Sequence, residues 1–570
     1  MEATAVETWD LSSTSRVPWY ARLLPSLTDL AFILPALLLF RFLGGGKTLL
    51  GDGDTGWHIR TGDWILQHRT VPAVDFFSFT KSGQPWFAWE WGWDVLFAAV
   101  HRYAGLAGVV LINVILLGFI SALLFRLIRR SSDNDILAFL FTVIATCGCT
   151  VHWWARPHLF SWLFVLLFAH AILSAEQGNR AALWSLPFLT IVWTNLHGAF
   201  FLGILMLVAS AIGAAASLVL TNVESPWRLA YARSAPYLGT ALACVLATFI
   251  NPYTWRLHRH IYSYLLDSKL LDNIGEYRSV SFHDGPIIFF EFMLLLGVAS
   301  ALWCLQRGKL SAAILIALFA HLALFSGRNI PLFLLIAAPW VAAMIQDALP
   351  RLKMVPALRK VGGLLSGVAD EFRPFERVGR AHCLSAAAML CLAVLLAAGK
   401  PGFESEFDGQ RFPASAIPVI ERFKASRTFT YDQWGDYLIY RLYPVEKVFV
   451  DGRSDFYGAD FLNTYEHILG ARYDYRAELK RFAVDTVLIK PDAPLATVLK
   501  QSADWKVLLD DGHLIVFRTA RAAQNGTPAL RGNARFSSVL RNGRKQLAAS
   551  NGFEADSSSS NLKTQERRSL

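Results

Sequence analysis

The side chains best suited to chemistry lie in one short segment, Gly51 to His58, which holds two carboxylates, an imidazole and three glycines. The segment directly follows the first long apolar run. Acidic groups beside hydrocarbon are costly and usually occupy water-filled, protein-lined cavities. A helix over Asp54–Leu66 would place Asp54 and His58 on one face, because residues four apart are neighbours on a helix. Asp54 could then take a proton from an incoming hydroxyl group, with His58 orienting it or binding a phosphate.

The same acids have a structural alternative, in which Asp52 or Asp54 caps a helix that begins near Thr55. Capping and catalysis are compatible, so we predict Asp54 and His58 as catalytic and Asp52 as substrate-binding. The Asp-x-Asp spacing also permits a divalent metal, although such motifs belong to the nucleotide-binding α/β fold of soluble sugar transferases. We therefore predict no metal-ligating residue and no resident cofactor.

Three further candidates follow in the same loop. Asp75 lies in an extended stretch rich in aromatic residues, where it is either a ligand-binding acid or a turn-former. Four tryptophans then surround Glu90. Indole rings at a membrane boundary usually form an interfacial belt, but they could equally offer a platform for sugar rings. On that second interpretation Trp89 stacks on the sugar and Glu90 accepts its hydroxyl groups.

Two arginines and two histidines at the ends of later apolar runs complete the candidate site. The guanidinium groups of Arg156 and Arg328 suit phosphate because their planar fork bonds two oxygens at once. Their structural alternative is snorkelling toward the membrane interface. His158 and His197 are candidates for substrate binding. No His-x-x-x-His pair with a nearby acid occurs within one run, so the sequence does not predict a zinc site.

These residues require a membrane scaffold. Apolar residues make up 54% of the 570 and charged residues only 17%, against roughly 25% charged residues in soluble domains. A membrane span needs about 20 apolar residues, and we predict about eleven spans. They are 27–46, 105–128, 135–154, 158–175, 182–197, 199–220, 236–251, 286–306, 310–327, 330–347 and 382–399.

The distribution of lysine and arginine orients these spans, because cytoplasmic loops carry the excess of positive charge. Residues 1–26 become a cytoplasmic arm, and 27–399 a transmembrane domain with outer loops 47–104 and 252–285. Every candidate site residue then faces outward from a bacterial cytoplasmic (inner) membrane. The net charge of +10 fits loops that face an anionic leaflet, and no nucleic-acid partner is predicted.

After residue 400 the pattern changes to short alternating elements, which predict a small extracytoplasmic α/β domain over 400–520. The predicted strands are Thr428–Tyr431, Lys447–Val450, Asp485–Ile489 and Leu514–Phe517, and the predicted helices are Gln433–Leu442, Asp460–Leu469 and Arg476–Phe482. The segment Asp451 to Asp455 follows a strand, where α/β folds bind ligands, or it forms a turn. Residues 521–570 have the composition of a disordered tail.

Four motifs resemble those of uncharacterised bacterial proteins of the GT-C superfamily of integral-membrane glycosyltransferases. They are Asp54 to Gly62, Pro72 to Thr80, Trp86 to Trp91 and Val448 to Gly458. The resemblance implies a polyprenyl-phosphate-sugar donor, an outward-facing active site and a first-loop acid as general base. Asp54 is then the base, with Arg156 or Arg328 available to the lipid phosphate. Many members have two neighbouring acids here, whereas Thr55 follows Asp54 in this chain.

The sequence thus predicts a membrane-embedded enzyme that moves a sugar from a polyprenyl-phosphate-type donor to a glycan, lipid or protein acceptor at the outer face. The alternative is a non-catalytic transport or envelope-assembly component that binds a lipid or glycan. No phosphate-binding Gly-x-x-x-x-Gly-Lys-Ser/Thr loop and no Gly-x-Ser-x-Gly elbow occurs in the sequence, so ATP-driven transport and serine hydrolysis are not favoured.

Overall fold

The computed structural model describes most of the chain. The described residues are 19–219, 226–272, 274–354, 356, 360, 363, 373, 376, 379–423 and 426–525. Most of the predicted cytoplasmic arm, nearly all of the predicted disordered tail and much of the basic stretch 348–380 lie outside the described residues.

Apolar helices form a bundle, and each of the eleven predicted spans coincides with a helix. These helices are α1 (Leu27–Phe42), α4 (Trp91–Ser132), α5 (Asp135–Cys149), α6 (His158–Glu176), α7 (Leu186–Leu196), α8 (Phe201–Val219), α9 (Pro226–Ala247), α12 (Ile288–Gln306), α13 (Leu310–Phe325), α14 (Ile330–Met354) and α15 (Cys383–Ala397). Among the described residues, seven helices are long and apolar enough to cross a membrane, and α13 and α15 are apolar but shorter. The count of eleven crossings is therefore not confirmed.

The central helix of the bundle is α4, which packs against α1, α5, α6 and α14. Gly118 allows α1 to approach closely, since an added Cβ there would lie 2.8 Å from the Phe32 carbonyl oxygen. Gly105 has a φ of +58° and interrupts the helix. The part of α4 before Gly105 belongs to the predicted first outer loop, and the part after it is the predicted span.

Shorter helices lie in the connections. They are α2 (Gly46–Leu49), α3 (Asp54–His68), α10 (Trp255–Leu266) and α11 (Ser268–Leu271). The predicted helix over Asp54–Leu66 is thus confirmed as α3. It packs against α4 at Gly62, where an added Cβ would overlap the Asp94 carbonyl oxygen. This close contact fixes α3 against the end of the bundle.

The C-terminal region forms a five-stranded sheet in the order β2-β1-β3-β5-β4. Its strands are β1 (Arg427–Thr430), β2 (Lys447–Val448), β3 (Thr486–Ile489), β4 (Trp505–Asp510) and β5 (Ile515–Thr519). β1 pairs in parallel with β2 and with β3. β5 pairs in antiparallel fashion with β3 on one side and with β4 on the other. Its helices are α16 (Ile417–Ile420), α17 (Asp432–Leu442), α18 (Ser454–Tyr457), α19 (Ala459–Leu469), α20 (Tyr475–Arg481), α21 (Pro494–Lys500) and α22 (Ala520–Asn525).

All four predicted strands and all three predicted helices of this region are present within one or two residues of their predicted ends. The sequence prediction missed β4, whose residues are mostly exposed or half-buried. An edge strand of this kind lacks the continuous apolar run by which buried strands are recognised.

The predicted first outer loop, 47–104, joins the C-terminal sheet directly. Ser78 pairs in parallel with Val448 of β2. The Val448 amide donates to the Phe77 carbonyl oxygen at 3.1 Å, and the Phe79 amide donates to the Val448 carbonyl oxygen at 3.0 Å. The loop therefore covers the exposed edge of β2 and holds the sheet at the end of the bundle where α3 begins.

Candidate active site

The candidate site is centred on Arg156, in the connection between α5 and α6. Its guanidinium group lies 2.7 Å from Asp54 Oδ2, 3.2 Å from Asp52 Oδ2 and 2.5 Å from Glu276 Oε1. Asp52 and Asp54 come from the first outer loop, and Glu276 comes from the loop 252–285. Three segments that are distant in sequence therefore meet at one arginine.

Burial and neighbouring charges give the three acids different pKa values. Burial alone would raise the pKa of Glu276, but Arg156 and Arg328 outweigh it and lower that pKa to about 2. For Asp52 burial dominates over the opposing effect of Arg156 and raises the pKa to about 7. Burial also raises the pKa of Asp54. Glu276 is therefore the permanent counter-charge of Arg156, while Asp52 can gain or lose a proton near neutral pH.

Arg328 lies at the start of the last long helix and is much less neutralised. Its Nε is 4.0 Å from Glu276 Oε2, and its guanidinium carbon lies 4.7 Å from the centroid of the Tyr277 ring. Arg156, in contrast, makes three carboxylate contacts of 3.2 Å or less. Of the two arginines, Arg328 has the positive charge that is more available to an incoming anion.

A second acid cluster surrounds His58. Its Nδ1 lies 2.5 Å from Asp94 Oδ1, and its Nε2 lies 3.6 Å from Glu90 Oε2. Burial lowers the pKa of His58 well below its usual value, so the ring is neutral. Burial also raises the pKa of Glu90 to about 8. At neutral pH this cluster therefore carries less charge than its composition suggests.

The prediction that His58 orients Asp54 is wrong. Where α3 packs on α4, the imidazole reaches the Asp94 carboxylate on α4. Asp54 is instead held by Arg156 on Oδ2 and by the indole N–H of Trp57, which donates to Oδ1 at 3.2 Å. The capping alternative holds only in part. The N-cap of α3 is Gly53, although Asp52 Oδ1 accepts the Asp54 amide at 2.9 Å.

The architecture matches that of a solved membrane enzyme. The oligosaccharyltransferase of Archaeoglobus fulgidus, tethered to an acceptor peptide containing the NVT sequon, superposes with a TM-score of 0.51 at 12% identity, over 82% of this chain and 69% of that chain. The chain is therefore similar in fold to that oligosaccharyltransferase. A second structure, archaeal AglB from Archaeoglobus fulgidus with an inhibitory peptide and a dolichol-phosphate, has a TM-score of 0.49 at 11% identity, over 81% of this chain and 69% of that chain. No family model and no curated protein matches the sequence.

Asp75 has a structural role, which corrects its prediction as a substrate-binding residue. Its carboxylate accepts the amides of Phe77 and Ser78 at 3.2 and 3.1 Å. It also accepts from Arg453 Nη2 at 2.7 Å, in an ion pair that is almost completely buried. Both oxygens are used, so Asp75 forms a turn and anchors the C-terminal domain.

The remaining predicted residues lie around the same end of the bundle. Trp89 is half-buried, with its ring edge-on to His260 and Tyr264. His197 Nε2 lies 3.6 Å from Glu90 Oε1, and its Nδ1 lies 2.7 Å from Ser161 Oγ. His158 is buried, with Nε2 placed to donate to the His152 carbonyl oxygen at 3.0 Å. Glu90, Trp89 and His197 therefore form one partly open wall, whereas His158 lies behind the site.

The C-terminal domain also reaches the site, which the sequence did not reveal. The Gly53 amide donates to Gln433 Oε1 at 2.8 Å, and the Gly452 amide donates to Asp436 Oδ1 at 2.8 Å. A Cβ on Gly452 would overlap the Asp54 carboxylate. The turn after β2 was the available signal. Asp451 does form a turn, accepting the Arg453 amide at 3.2 Å, and that turn lies against the predicted base.

The acids of the site are not arranged as a metal centre. In the part of the chain that the structure describes, no group of three or more His, Cys, Asp or Glu side chains is positioned to hold a metal ion. Three predicted residues, Asp54, Arg156 and Arg328, nevertheless converge through Glu276, which the sequence analysis did not predict as a site residue. Asp54, Arg156, Glu276 and Arg328 form a continuous series of contacts, and Glu90 faces the same end of the bundle through His58 and His197.

Proposed function

We propose that this protein transfers a sugar from a polyprenyl-phosphate-type lipid donor to an acceptor hydroxyl group at the outer face of the cytoplasmic membrane. The observation that carries the proposal is the ion pair between the buried Asp54 and the half-buried Arg156, at one end of a GT-C-like bundle. A buried acid beside a cation provides both a proton acceptor and a field that favours negative charge in the transition state.

Asp54 acts as the general base. Burial raises its pKa, and a base is most effective when its pKa lies near the working pH. Arg156 on Oδ2 and Trp57 on Oδ1 fix the carboxylate. The acceptor hydroxyl donates its proton to Asp54 as its oxygen attacks the anomeric carbon. The bond from that carbon to the donor phosphate breaks, with inversion of configuration.

Arg328 receives the phosphate leaving group. The sequence offered Arg156 and Arg328 equally, and their surroundings favour Arg328. Arg156 is already paired with the ionised Glu276 and with Asp54, so a phosphate there would face repulsion from these acids. Among the described residues, Arg328 has a single acid within 4.0 Å, and it lies beside the Tyr277 ring. A guanidinium group in this position can bond two phosphate oxygens.

The location of the site supports the outward orientation. Asp54, Arg156, Glu276 and Arg328 follow α1, α5, α9 and α13 respectively. These helices are the first, third, seventh and ninth of the eleven that coincide with predicted spans. Alternate ends of successive crossings lie on the same side of a membrane, so an N-terminus in the cytoplasm places all four residues, and the C-terminal domain, outside.

The experiment compares Asp54→Asn with wild type in cells, after insertion and abundance have been shown to be equal. Loss of a general base lowers rates by about 10²- to 10⁴-fold, so the envelope glycan should disappear from the profile. Asp63→Asn is the matched control, because Asp63 lies on the same helix but pairs with Arg60 and Arg102 outside the cluster.

Each outcome of this comparison is decisive. Loss of the glycan in Asp54→Asn but not in Asp63→Asn supports the enzyme. An unchanged glycan in Asp54→Asn contradicts catalysis by this site and favours the non-catalytic component that binds a lipid or glycan.

A further inference from the structure

Asp436, on α17 of the C-terminal domain, is a fully buried acid with an unusual hydrogen-bonding state. Its Oδ1 accepts the Gly452 amide at 2.8 Å. Its Oδ2 is buried and has no hydrogen-bond partner among the described residues. A buried charged oxygen without a partner is strongly destabilising. A protonated oxygen, in contrast, needs only an acceptor for its O–H group.

The carboxylate of Asp54 is a neighbouring acceptor. A Cβ built on Gly452 would overlap Asp54 Oδ1 and would lie 2.9 Å from Asp436 Oδ2. The two oxygens therefore flank the same face of one glycine. Asp436 also lies against the turn that precedes Asp54, since a Cβ on Gly53 would lie 3.1 Å from Asp436 Oδ2. Arg156, the cation of the site, contacts the other oxygen of Asp54.

We propose that Asp436 is a positioning residue, which carries a proton on Oδ2 and donates it to Asp54 Oδ1. Its role in positioning a base depends on the proposed glycosyl transfer, whereas the shared proton does not. The C-terminal domain then supplies the hydrogen bond that holds the Asp54 carboxylate from the side opposite Arg156. Asp54 can act as a base only when this domain is docked on the bundle.

The charges around Asp436 favour the protonated form. Burial raises the pKa of Asp436 well above its usual value, and the neighbouring acids Asp54, Asp451 and Asp432 raise it further. Two carboxyl groups that face each other in a buried site do not both ionise, because the second charge would be repelled by the first. Loss of the shared proton at high pH would make the two carboxylates repel each other across Gly452.

Infrared titration of the full-length protein in detergent tests the proposal without a substrate. Glu90 and Asp52 also contribute protonated carboxyl absorption at neutral pH, so the informative band is the component that is lost in Asp436→Asn. The pKa of that component should fall by about 1 to 3 in Asp54→Asn. Asp432→Asn is the matched control, since Asp432 lies one turn earlier on α17 and its carboxylate accepts the Gln433 amide. The band should persist in that variant. A band that is unchanged in Asp436→Asn would overturn the proposal.

Transfer activity provides the second measurement. Asparagine keeps a donor group at this position, so Asp436→Asn should retain activity within about tenfold and lose the alkaline decline of the wild-type pH profile, whereas Asp436→Leu should lose activity. The two proposals fail in different ways. If the infrared band depends on Asp436 but Asp54→Asn transfers normally, the shared proton stands and the enzymatic function fails. If Asp54→Asn is inactive but the band does not depend on Asp436, the function stands and the positioning role fails.

Discussion

Arg453 provides the most demanding test of how the C-terminal domain is attached to the membrane bundle. Its guanidinium group lies 2.7 Å from Asp75 Oδ1 in the first outer loop and 2.6 Å from Asp451 Oδ2 in its own domain. It also lies 4.4 Å from the centroid of the Trp86 ring. All three charged side chains are essentially inaccessible to solvent. The substitution Arg453→Gln would leave two buried carboxylates without a cation.

The size of the effect follows from this burial. Removing one partner of a buried ion pair costs about 3 to 5 kcal/mol, because the remaining charge stays desolvated. Since 1.4 kcal/mol corresponds to a factor of ten in an equilibrium constant, the docked arrangement should open about 100-fold to several thousand-fold more often. Arg481→Gln is the matched control. Arg481 is 67% exposed and lies 3.2 Å from Glu478, and an exposed pair contributes only about 0 to 1 kcal/mol.

Hydrogen exchange measured by mass spectrometry reports this opening. The informative amides are Phe77 and Ser78, which donate to Asp75, and Val448, which donates to the Phe77 carbonyl oxygen. Their exchange should accelerate in Arg453→Gln by at least about 100-fold, in line with the cost of an unpaired buried charge. If protection of these amides in Arg453→Gln equals that in Arg481→Gln, the ion pairs of Arg453 do not hold the C-terminal domain on the bundle.

Two further predictions concern charge within the site. Arg328→Gln should weaken binding of a synthetic polyprenyl phosphate to the nanodisc-embedded protein by about 10- to 150-fold, because a charge-assisted hydrogen bond contributes about 1.5 to 3 kcal/mol. The control Arg102→Gln, at an exposed position, should bind as wild type. Equal binding by all three proteins would exclude Arg328 as the phosphate-binding residue. The pKa of Asp52 rises from 3.8 to about 7 on folding, so the wild type should lose stability between about pH 4 and pH 7 as the unfolded chain ionises first. In thermal unfolding Asp52→Asn should lack this part of the pH dependence, and an identical slope in the variant would contradict the burial of a protonated Asp52.

The sequence was most informative where local patterns determine structure. The helix from Asp54 follows from residues within one segment, and the eleven apolar runs each coincide with a helix because burial in lipid imposes length and composition. The strands β1, β3 and β5 of the C-terminal domain were recognisable as short runs of β-branched and aromatic residues. The exposed β4 was not, because half of its residues face solvent and it carries no such run.

The contacts that form the site could not be predicted from local sequence patterns. Glu276 and Arg156 are 120 residues apart, and no local sequence pattern around either residue predicts their contact. Helical spacing predicted a contact between His58 and Asp54, but the packing of α3 on α4 places the His58 ring against Asp94. Asp75 was left open between two interpretations, and its structural partner lies 378 residues away. Local spacing identifies which residues share a face, and only the packing of helix ends decides which faces meet.

The proposed enzyme consumes a lipid-linked sugar at the site formed by Asp54, Arg156, Glu276 and Arg328. Lipid mass spectrometry of membranes that contain wild type, Asp54→Asn or Asp63→Asn, at equal abundance, tests it most directly. The proposed mechanism predicts that the polyprenyl-phosphate-linked sugar accumulates, and the corresponding acceptor glycan is lost, in Asp54→Asn alone. Equal amounts of lipid-linked sugar in all three membranes, with the glycan intact, would contradict it.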